Sequence, residues 1–315
     1  MPEWLTEVGI GEVRKALVDD DEIVEASILL EGTIDAGTII EAKLIDVGRN
    51  GRNAIALAEG QEYLLRESPS GLSEGATFNL EVMRSKIPGA EPWKRPLGRA
   101  AEPHSEGRRS SESTVAIPAD NQLGAAGWND LIEEARTGIV RFAGGELRIS
   151  PTPAMTLIDV DGHLASDELA VVGAREAAKA IRRLDIGGSI GIDLPTAGSK
   201  AARQRAAEAI DAVLPQPFER TAVNGFGFVQ IVRPRREASL VELAQDRAPF
   251  EARALLRQIA FEPAGPKRIV AHPSVVAVLE GRRDWLDALA RQVGGAIGLR
   301  ADASLPMSGG YAEKV

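Results

Sequence analysis

Residues 155–193 read MTLIDVDGHLASDELAVVGAREAAKAIRRLDIGGSIGID, and this stretch decides the fold. It contains two apolar runs of strand length, MTLID and GSIGID, which end in Asp159 and Asp193. The residues between them, 167–184, carry apolar side chains at helical spacing, and Asp167 is the predicted N-cap of that helix. A strand–helix–strand unit of this length tends to place both strands in one sheet. We therefore expect the two carboxylates to meet at one end of that sheet.

The sequence on either side extends this unit into an α/β core over residues 128–246. WNDLIEEARTGIV predicts a helix and GELRI a strand before it, while SKAARQRAAEAIDAVL predicts a helix and FGFVQIVRPR a strand after it. This alternation is typical of a domain built on one central sheet, which we expect to be mixed. Residues 247–315 repeat the alternation on a smaller scale and predict a small C-terminal α/β subdomain.

The first part of the chain has a different pattern. Residues 1–30 predict strands that pack on the core, and residues 31–100 contain short apolar runs separated by Gly, Asn, Pro and Ser. A spacing of roughly ten residues predicts a small OB-like β barrel, a fold that suits RNA binding. A β module without a ligand would have the same pattern. Residues 101–127 are rich in Ser, Pro, Gly and charge and predict a flexible linker. The expected class is α+β or α/β.

The composition excludes several kinds of chemistry. The chain has no cysteine, which rules out disulfides, zinc ribbons and thiol nucleophiles, and its 3 histidines are far apart in sequence. Its net charge of −9 excludes a basic shell for duplex nucleic acid but leaves room for a local basic groove. No apolar run approaches the length of about 18 residues that a membrane helix needs, and the first residues lack a signal pattern. We therefore expect a cytoplasmic protein with no membrane partner and no zinc.

The remaining chemistry belongs to carboxylates, and the aspartate pair is its best candidate. Two facing carboxylates repel each other unless a divalent cation lies between them. Oxygen ligands without His or Cys favour Mg²⁺ or Mn²⁺, which can activate water and neutralise a phosphodiester. Asp161 follows Asp159 by two residues and shares its face on an extended strand. The alternative is that these aspartates only end strands or form turns, since Asp161-Gly162 is itself a turn pattern.

A resemblance adds to this interpretation. The segments AMTLIDVDG, EAAKAIRRLDIGGSIGIDL and ERTAVNGFGFVQIVRPR resemble the catalytic core of the ribonuclease E/G family. The similarity runs without gaps from Met155 to Asp193, resumes at Phe226 and reaches Arg233. Residues 37–86 resemble more weakly the family's OB-type RNA-binding insertion, and the end of the chain resembles its small C-terminal domain.

The resemblance implies roles for three aspartates. Asp159 and Asp193 match the family's two aspartates that hold the catalytic Mg²⁺, for which Mn²⁺ is a possible substitute. Asp161 stands where the family usually has an asparagine that orients one of them, so all three are candidate catalytic residues. The additional negative charge of Asp161 has two opposite possible effects, because it can tighten metal binding or repel the phosphate.

The resemblance also implies RNA contacts. Arg84 and Lys94 or Arg95 stand where the family has lysines that contact RNA, and Tyr63 lies near one of its stacking aromatics. Arg233 at the end of a strand is a further candidate for steering RNA. The alternative for these cations is that they are solvated surface charges.

The chain departs from the family at two points. The family's Cys-Pro-x-Cys is missing, which excludes a zinc-linked dimer and leaves the oligomeric state open, and residues 101–127 replace its 5′-monophosphate sensor. The expected protein is a minimal Mg²⁺-dependent endoribonuclease that cleaves single-stranded RNA by metal-activated water, independently of the 5′ end. The alternative is a catalytically weak or inactive RNA-binding protein of the same fold.

Overall fold

The computed structural model describes residues 1–48, 53–88, 94–101 and 121–314. In chain order the strands are β1 Glu3–Val8, β2 Glu12–Asp19, β3 Glu22–Leu30, β4 Ile39–Asp46, β5 Ala54–Ala58, β6 Gln61–Leu65, β7 Thr77–Arg84, β8 Leu97–Ala100, β9 Ile139–Phe142, β10 Gly145–Pro151, β11 Thr156–Gly162, β12 Gly188–Asp193, β13 Glu219–Arg220, β14 Phe228–Arg233, β15 Lys267–Ala271, β16 Ile297–Ala301 and β17 Tyr311–Lys314. The helices are α1 Gln122–Ala125, α2 Trp128–Thr137, α3 Ser166–Arg183, α4 Lys200–Asp211, α5 Leu240–Leu243, α6 Arg247–Ala260, α7 Pro273–Glu280 and α8 Arg283–Val293.

The chain forms two compact units, and each combines segments that are distant in sequence. The first contains the described residues of Met1–Glu31, Thr114–Arg136 and Leu243–Val315. The second contains the described residues of Gly32–Ser113 and Thr137–Glu242. The protein is thus a mixed α+β chain with a closed five-stranded barrel and several sheets, which agrees at that level with the predicted class.

The first unit combines two small sheets with helices. Strands β1, β2 and β3 form an antiparallel sheet, and β16, β15 and β17 form a second, mixed sheet. Apolar side chains of α6, α7 and α8 pack around the buried strand β15, and Ile10 from the β1–β2 turn joins this core. At the next residue the chain passes close to an aromatic ring, because a Cβ on Gly11 would lie 2.3 Å from Trp285 Cζ2. Glycine is therefore required at this contact.

The second unit begins with the barrel, whose strands follow the order β4-β5-β6-β8-β7. Every second residue of β5 is a buried alanine, at positions 54, 56 and 58, so the barrel is narrow. Its interior is filled by Leu44, Leu65 and Leu80, none of which is exposed. Side chains fill a barrel of this size completely, leaving no channel.

The rest of the second unit is a six-stranded sheet in the order β13-β14-β12-β11-β10-β9. Strands β11 and β12 are parallel and the other neighbours are antiparallel, so the sheet is mixed. Helix α3 packs on β10 and β11 and against α4. The alternation of strand side chains buries Ile158 and Val160 on the helix side and exposes Leu157, Asp159 and Asp161 on the other. We call this second side the open face.

Two sequence predictions need correction or restriction. The N-cap of α3 is Ala165, which makes no side-chain capping bond, whereas Asp167 lies in the first turn of the helix. The Asp167 carboxylate instead accepts hydrogen bonds from Gly198 N at 2.8 Å and Ser199 Oγ at 3.0 Å. The predicted linker 101–127 lies outside the described residues from 102 to 120, and its end contains the short helix α1.

Candidate functional site

Asp159 and Asp193 lie side by side on the open face. Each is near or at the carboxyl end of its strand, and the parallel pairing of β11 with β12 makes the two residues register partners. Neighbouring strands are about 4.8 Å apart, so both carboxylates project from adjacent backbone positions on one side. Both side chains are exposed to solvent. The structure therefore brings this pair together as the strand–helix–strand pattern predicts.

Asp161 shares this face but stands further along β11. A separation of two residues corresponds to about 6.6 Å along a strand. Its Oδ1 accepts a hydrogen bond of 2.8 Å from the N–H of Gly162, and its register partner on β10 is Glu146. Both Asp161 and Gly162 belong to β11, so the Asp-Gly pair does not form a separate turn here.

Arg148 is a charged neighbour of the pair that the sequence interpretation missed. It is the register partner of Asp159 across the antiparallel β10–β11 pairing. Its side chain is 61% exposed, and its Nε and Nη2 donate to Glu146 Oε1 at 3.0 and 2.7 Å. Directly opposed residues on adjacent strands interact, so Arg148 places a cation next to the carboxylate pair.

The chemistry of this donor set suits a hard cation such as Mg²⁺. Among the described residues, no group of three or more His, Cys, Asp or Glu side chains is arranged to hold a metal ion. Mg²⁺ does not need such a cage, because it keeps several waters and usually binds through one or two carboxylates together with substrate phosphates. Two adjacent, exposed carboxylates fit that mode of binding.

The segment that follows Asp193 is held in place from two sides. On one side, Asp167 binds Gly198 and Ser199 through the hydrogen bonds described above. On the other side, the N–H of Leu194 donates to the carbonyl of Gly227 at 3.2 Å. The backbone directly after the carboxylate pair is therefore ordered by contacts with α3 and with the turn before β14.

A groove rich in cations lies at the other end of the open face. Its volume is about 850 Å³, and its lining combines barrel residues with the starts of β11 and β12 and the end of β14. Ser189 and Val232, which are register partners, belong both to this lining and to the open face. The charged side chains of the lining are Arg66, Arg84, Lys94, Arg233, Arg235, Glu219 and Glu242. The acidic chain therefore carries a local surface on which positive charge predominates.

A second cavity of about 530 Å³ shares Arg66, Arg84, Lys94 and Leu97 with the groove and adds Arg95. The predicted RNA-contacting residues Arg84, Lys94 and Arg95 are thus close together, and Nη2 of Arg84 donates to the carbonyl of Arg95 at 2.8 Å. Arg66, which also lines both cavities, was not among the predicted contacts.

Arg95 and Arg233, two of the predicted RNA contacts, form ion pairs with carboxylates. The Nε of Arg95 donates to Glu62 Oε2 at 2.7 Å, and both side chains are well exposed. The Nη1 of Arg233 donates to Asp185 Oδ1 at 3.0 Å and to the carbonyl of Ile186 at 3.2 Å. Arg233 therefore lines the groove with a charge that Asp185 largely compensates.

Tyr63 is a correction to the predicted RNA contacts. Its side chain belongs to the core of the barrel, and the residue is only 3% exposed. Burial raises the pKa of the Tyr63 hydroxyl, and the negative charge of Glu59 acts in the same direction. A ring enclosed in this way offers no free face to a base, so Tyr63 stabilises the barrel and does not stack on RNA.

The groove and the carboxylate pair are connected along one strand. Ser189 at the groove and Asp193 in the pair are both on β12 and, four residues apart, point to the same face. Four residues of a strand span about 13 Å. An extended polymer lying across the open face can thus contact the cations and the carboxylates at once.

Comparison with known proteins adds no assignment: no protein-family model matches the chain, and no curated protein does. None of the helices in the described part of the chain has the length and apolar character needed to cross a membrane.

Proposed function

We propose that this protein is a Mg²⁺-dependent endoribonuclease that cleaves single-stranded RNA in the cytoplasm, independently of the 5′ end. The observation that carries the proposal is the in-register pair Asp159 and Asp193 on the exposed face of the sheet. These two residues would hold the ion, and Asp161 would orient the site from the next outward position of β11. When bound, Mg²⁺ supplies an activated water and neutralises charge on the phosphodiester.

The groove supports RNA as the substrate. Its arginines and lysine can bind phosphates without reading sequence, and the OB-like barrel that supplies Arg66, Arg84 and Lys94 is an architecture suited to single strands. An RNA strand lying from the groove towards the pair would present a phosphodiester to Asp159 and Asp193. Arg148 would then add positive charge next to that phosphate.

A second candidate is an RNA-binding protein of the same fold that does not cleave. The charge on the open face favours it, because Asp161 and Glu146 place two further carboxylates beside the pair, and these repel a phosphate. Both candidates bind RNA with an affinity that falls as salt rises. Only metal-dependent turnover distinguishes them.

The test uses a labelled, unstructured RNA of about 20 nucleotides, longer than the roughly 4–16 nucleotides that one OB-type barrel covers. The parent protein, Asp159→Asn and Asp193→Asn are compared with Mg²⁺ and with Mn²⁺, on 5′-hydroxyl and 5′-monophosphate substrates. Mutation of an outer-shell partner of a metal typically lowers metal affinity or activity by about 10–100-fold. We therefore expect loss of a direct ligand to lower kcat/KM by about 100-fold or more. We expect equal rates on the two 5′ ends.

Two control variants make the result specific. Glu168→Gln removes a carboxylate from an exposed position in the first turn of α3, so it should leave cleavage unchanged. Asp161→Asn installs the residue of the resembled family, and its oxygen can still orient the site, so cleavage should persist. Absence of cleavage by the parent protein with either ion, together with measurable RNA binding, would establish the non-cleaving candidate instead.

A further inference from the structure

We propose that Phe226 stacks on a base of the bound RNA directly beside Asp193. The inference rests on the proposed function, since it assigns a second kind of contact to the same open face. It gives the RNA two attachments, phosphates at the cationic groove and one base at Phe226, with the carboxylate pair between them.

The exposure of Phe226 is the first argument. It is 83% exposed, more than any other large apolar side chain of the described residues except Met1. An exposed phenyl ring forgoes about 1.5–3 kcal/mol of the free energy that burial would supply. A ring kept in solvent at this cost, inside a folded domain, is available for a ligand.

The turn that carries Phe226 is fixed by several hydrogen bonds and by a close backbone approach, so the exposure of the ring follows from the fold. The Asn224 Oδ1 accepts from the N–H of Phe226 at 2.9 Å and from the N–H of Phe228 at 3.1 Å. Gly227 has a φ of +94°, and a Cβ there would lie 2.1 Å from the carbonyl oxygen of Leu194. Only glycine allows this close approach, which holds Phe226 outward and next to the end of β12.

The position of the turn is the second argument. Phe228 is the register partner of Asp193, and Phe226 precedes it by two residues. The Thr196 hydroxyl donates to the carbonyl of Phe226 at 3.4 Å, so the turn is also bonded to the segment after Asp193. Phe226 therefore belongs to the carboxylate end of the open face, opposite the groove.

The surroundings identify the occupant as a nucleobase. Besides Phe226 the open face exposes Leu157, two residues before Asp159, and Val232, in the groove lining, so its apolar side chains lie among charged groups, whereas a protein partner would need an apolar patch of several hundred Å². Single-stranded nucleic acid is usually held by a cationic track together with aromatic rings; here the groove supplies the cations and Phe226, at the other end of the face, supplies a ring on which any base can stack. We therefore expect Phe226 to add affinity with little sequence preference.

The test compares Phe226→Leu, which keeps an apolar side chain without the ring, with Phe226→Tyr, which keeps the ring. Stacking of a base on an aromatic ring changes affinity by a factor of about 5 to 160. We expect Phe226→Leu to raise KM by such a factor and to leave kcat unchanged, because the stacking contact stabilises the bound substrate and the transition state equally. Phe226→Tyr should have the KM of the parent protein. Thermal unfolding of both variants should match the parent protein.

A cycle with altered RNA isolates the contact. A series of RNA substrates each carries one abasic nucleotide at a different position around the cleaved bond. When the abasic position is the one that Phe226 contacts, Phe226→Leu and the parent protein should have the same KM. If Phe226→Leu cleaves like the parent, or if its defect is the same on every abasic substrate, the stacking inference is wrong while the nuclease stands. If the parent protein neither binds nor cleaves RNA, the proposed function itself fails.

Discussion

Tyr63 and Phe226 are two aromatic residues with opposite environments in the same unit. The ring of Tyr63 fills the barrel, where it contacts a core that includes Ala56 and Leu80, and the ring of Phe226 is in solvent. A ring contributes to stability where it is buried and to ligand binding where it is free. The two residues should therefore respond to substitution in different assays.

For Tyr63 we predict a loss of stability without a specific loss of RNA binding. Tyr63→Ala should lower the free energy of unfolding by about 3–5 kcal/mol, as large aromatic truncations in cores do. Tyr63→Phe should keep RNA affinity unchanged, measured by fluorescence anisotropy on single-stranded RNA. Weakened RNA binding by a normally folded Tyr63→Phe would contradict the assignment of this side chain to the barrel core.

The sequence could predict the aspartate pair but not its neighbours. Parallel strands that flank one helix usually adjoin, and both aspartates end apolar runs, so Asp159 and Asp193 could be placed together without coordinates. The partnership of Arg148 with Asp159 depends on the register of an antiparallel pairing, which the sequence does not encode locally. For Tyr63 the pattern was ambiguous, because β6 is apolar on both faces at Tyr63, Leu64 and Leu65.

The first turn of helix α3 is hydrogen-bonded to the segment that follows the carboxylate pair. Asp167 makes this connection through Gly198 and Ser199, and Ser199 in turn caps α4 by accepting from the N–H of Ala202 at 3.0 Å. One side chain therefore links two helix starts and the end of β12. A defect here should affect both stability and the site.

We predict that Asp167→Ala destabilises the protein by about 1–3 kcal/mol, the usual contribution of hydrogen bonds to a charged group. It should also lower kcat for RNA cleavage, because the backbone after Asp193 becomes less ordered. Glu168→Ala is the matched control, since it removes an equal charge from the same helical turn with its side chain exposed. Urea unfolding and cleavage kinetics measure both effects. Equal behaviour of the two variants would show that Asp167 acts only through the helix dipole.

The periodicity of apolar residues predicts most helices and strands of the α/β core. It predicts the residues at which they begin and end less accurately. The predicted helix over residues 167–184 agrees closely with α3, and the predicted helix SKAARQRAAEAIDAVL contains α4. The N-cap of α3 was misplaced because an aspartate in the first turn has the same local sequence pattern whether it caps the helix or binds another segment. That choice depends on Gly198 and Ser199, which are about thirty residues away.

At the scale of the whole molecule, the first unit joins the beginning of the chain to its end through buried charges. Glu7 on β1 accepts from Arg14 Nη1 at 2.6 Å and from Arg257 Nε and Nη2 at 2.8 and 3.0 Å. Glu12 accepts from Arg253 Nε at 2.9 Å, and all these side chains are buried. Ion pairs that span some 250 residues leave no periodic pattern, so no sequence argument could have found them.

Glu7 is, with Arg14, among the most deeply buried of these charges. It is 2% exposed and pairs with two arginines at once, so its neutralisation leaves both guanidinium groups without their shared counter-charge in a water-poor site. Removing one partner of a buried ion pair typically costs about 3–5 kcal/mol, whereas an exposed charge contributes about 1 kcal/mol or less. We therefore predict that Glu7→Gln lowers the free energy of unfolding by about 3–5 kcal/mol, measured by urea denaturation. Glu3→Gln on the exposed start of the same strand should be close to neutral, and similar stabilities of the two variants would mean that the buried charges do not hold β1 to α6.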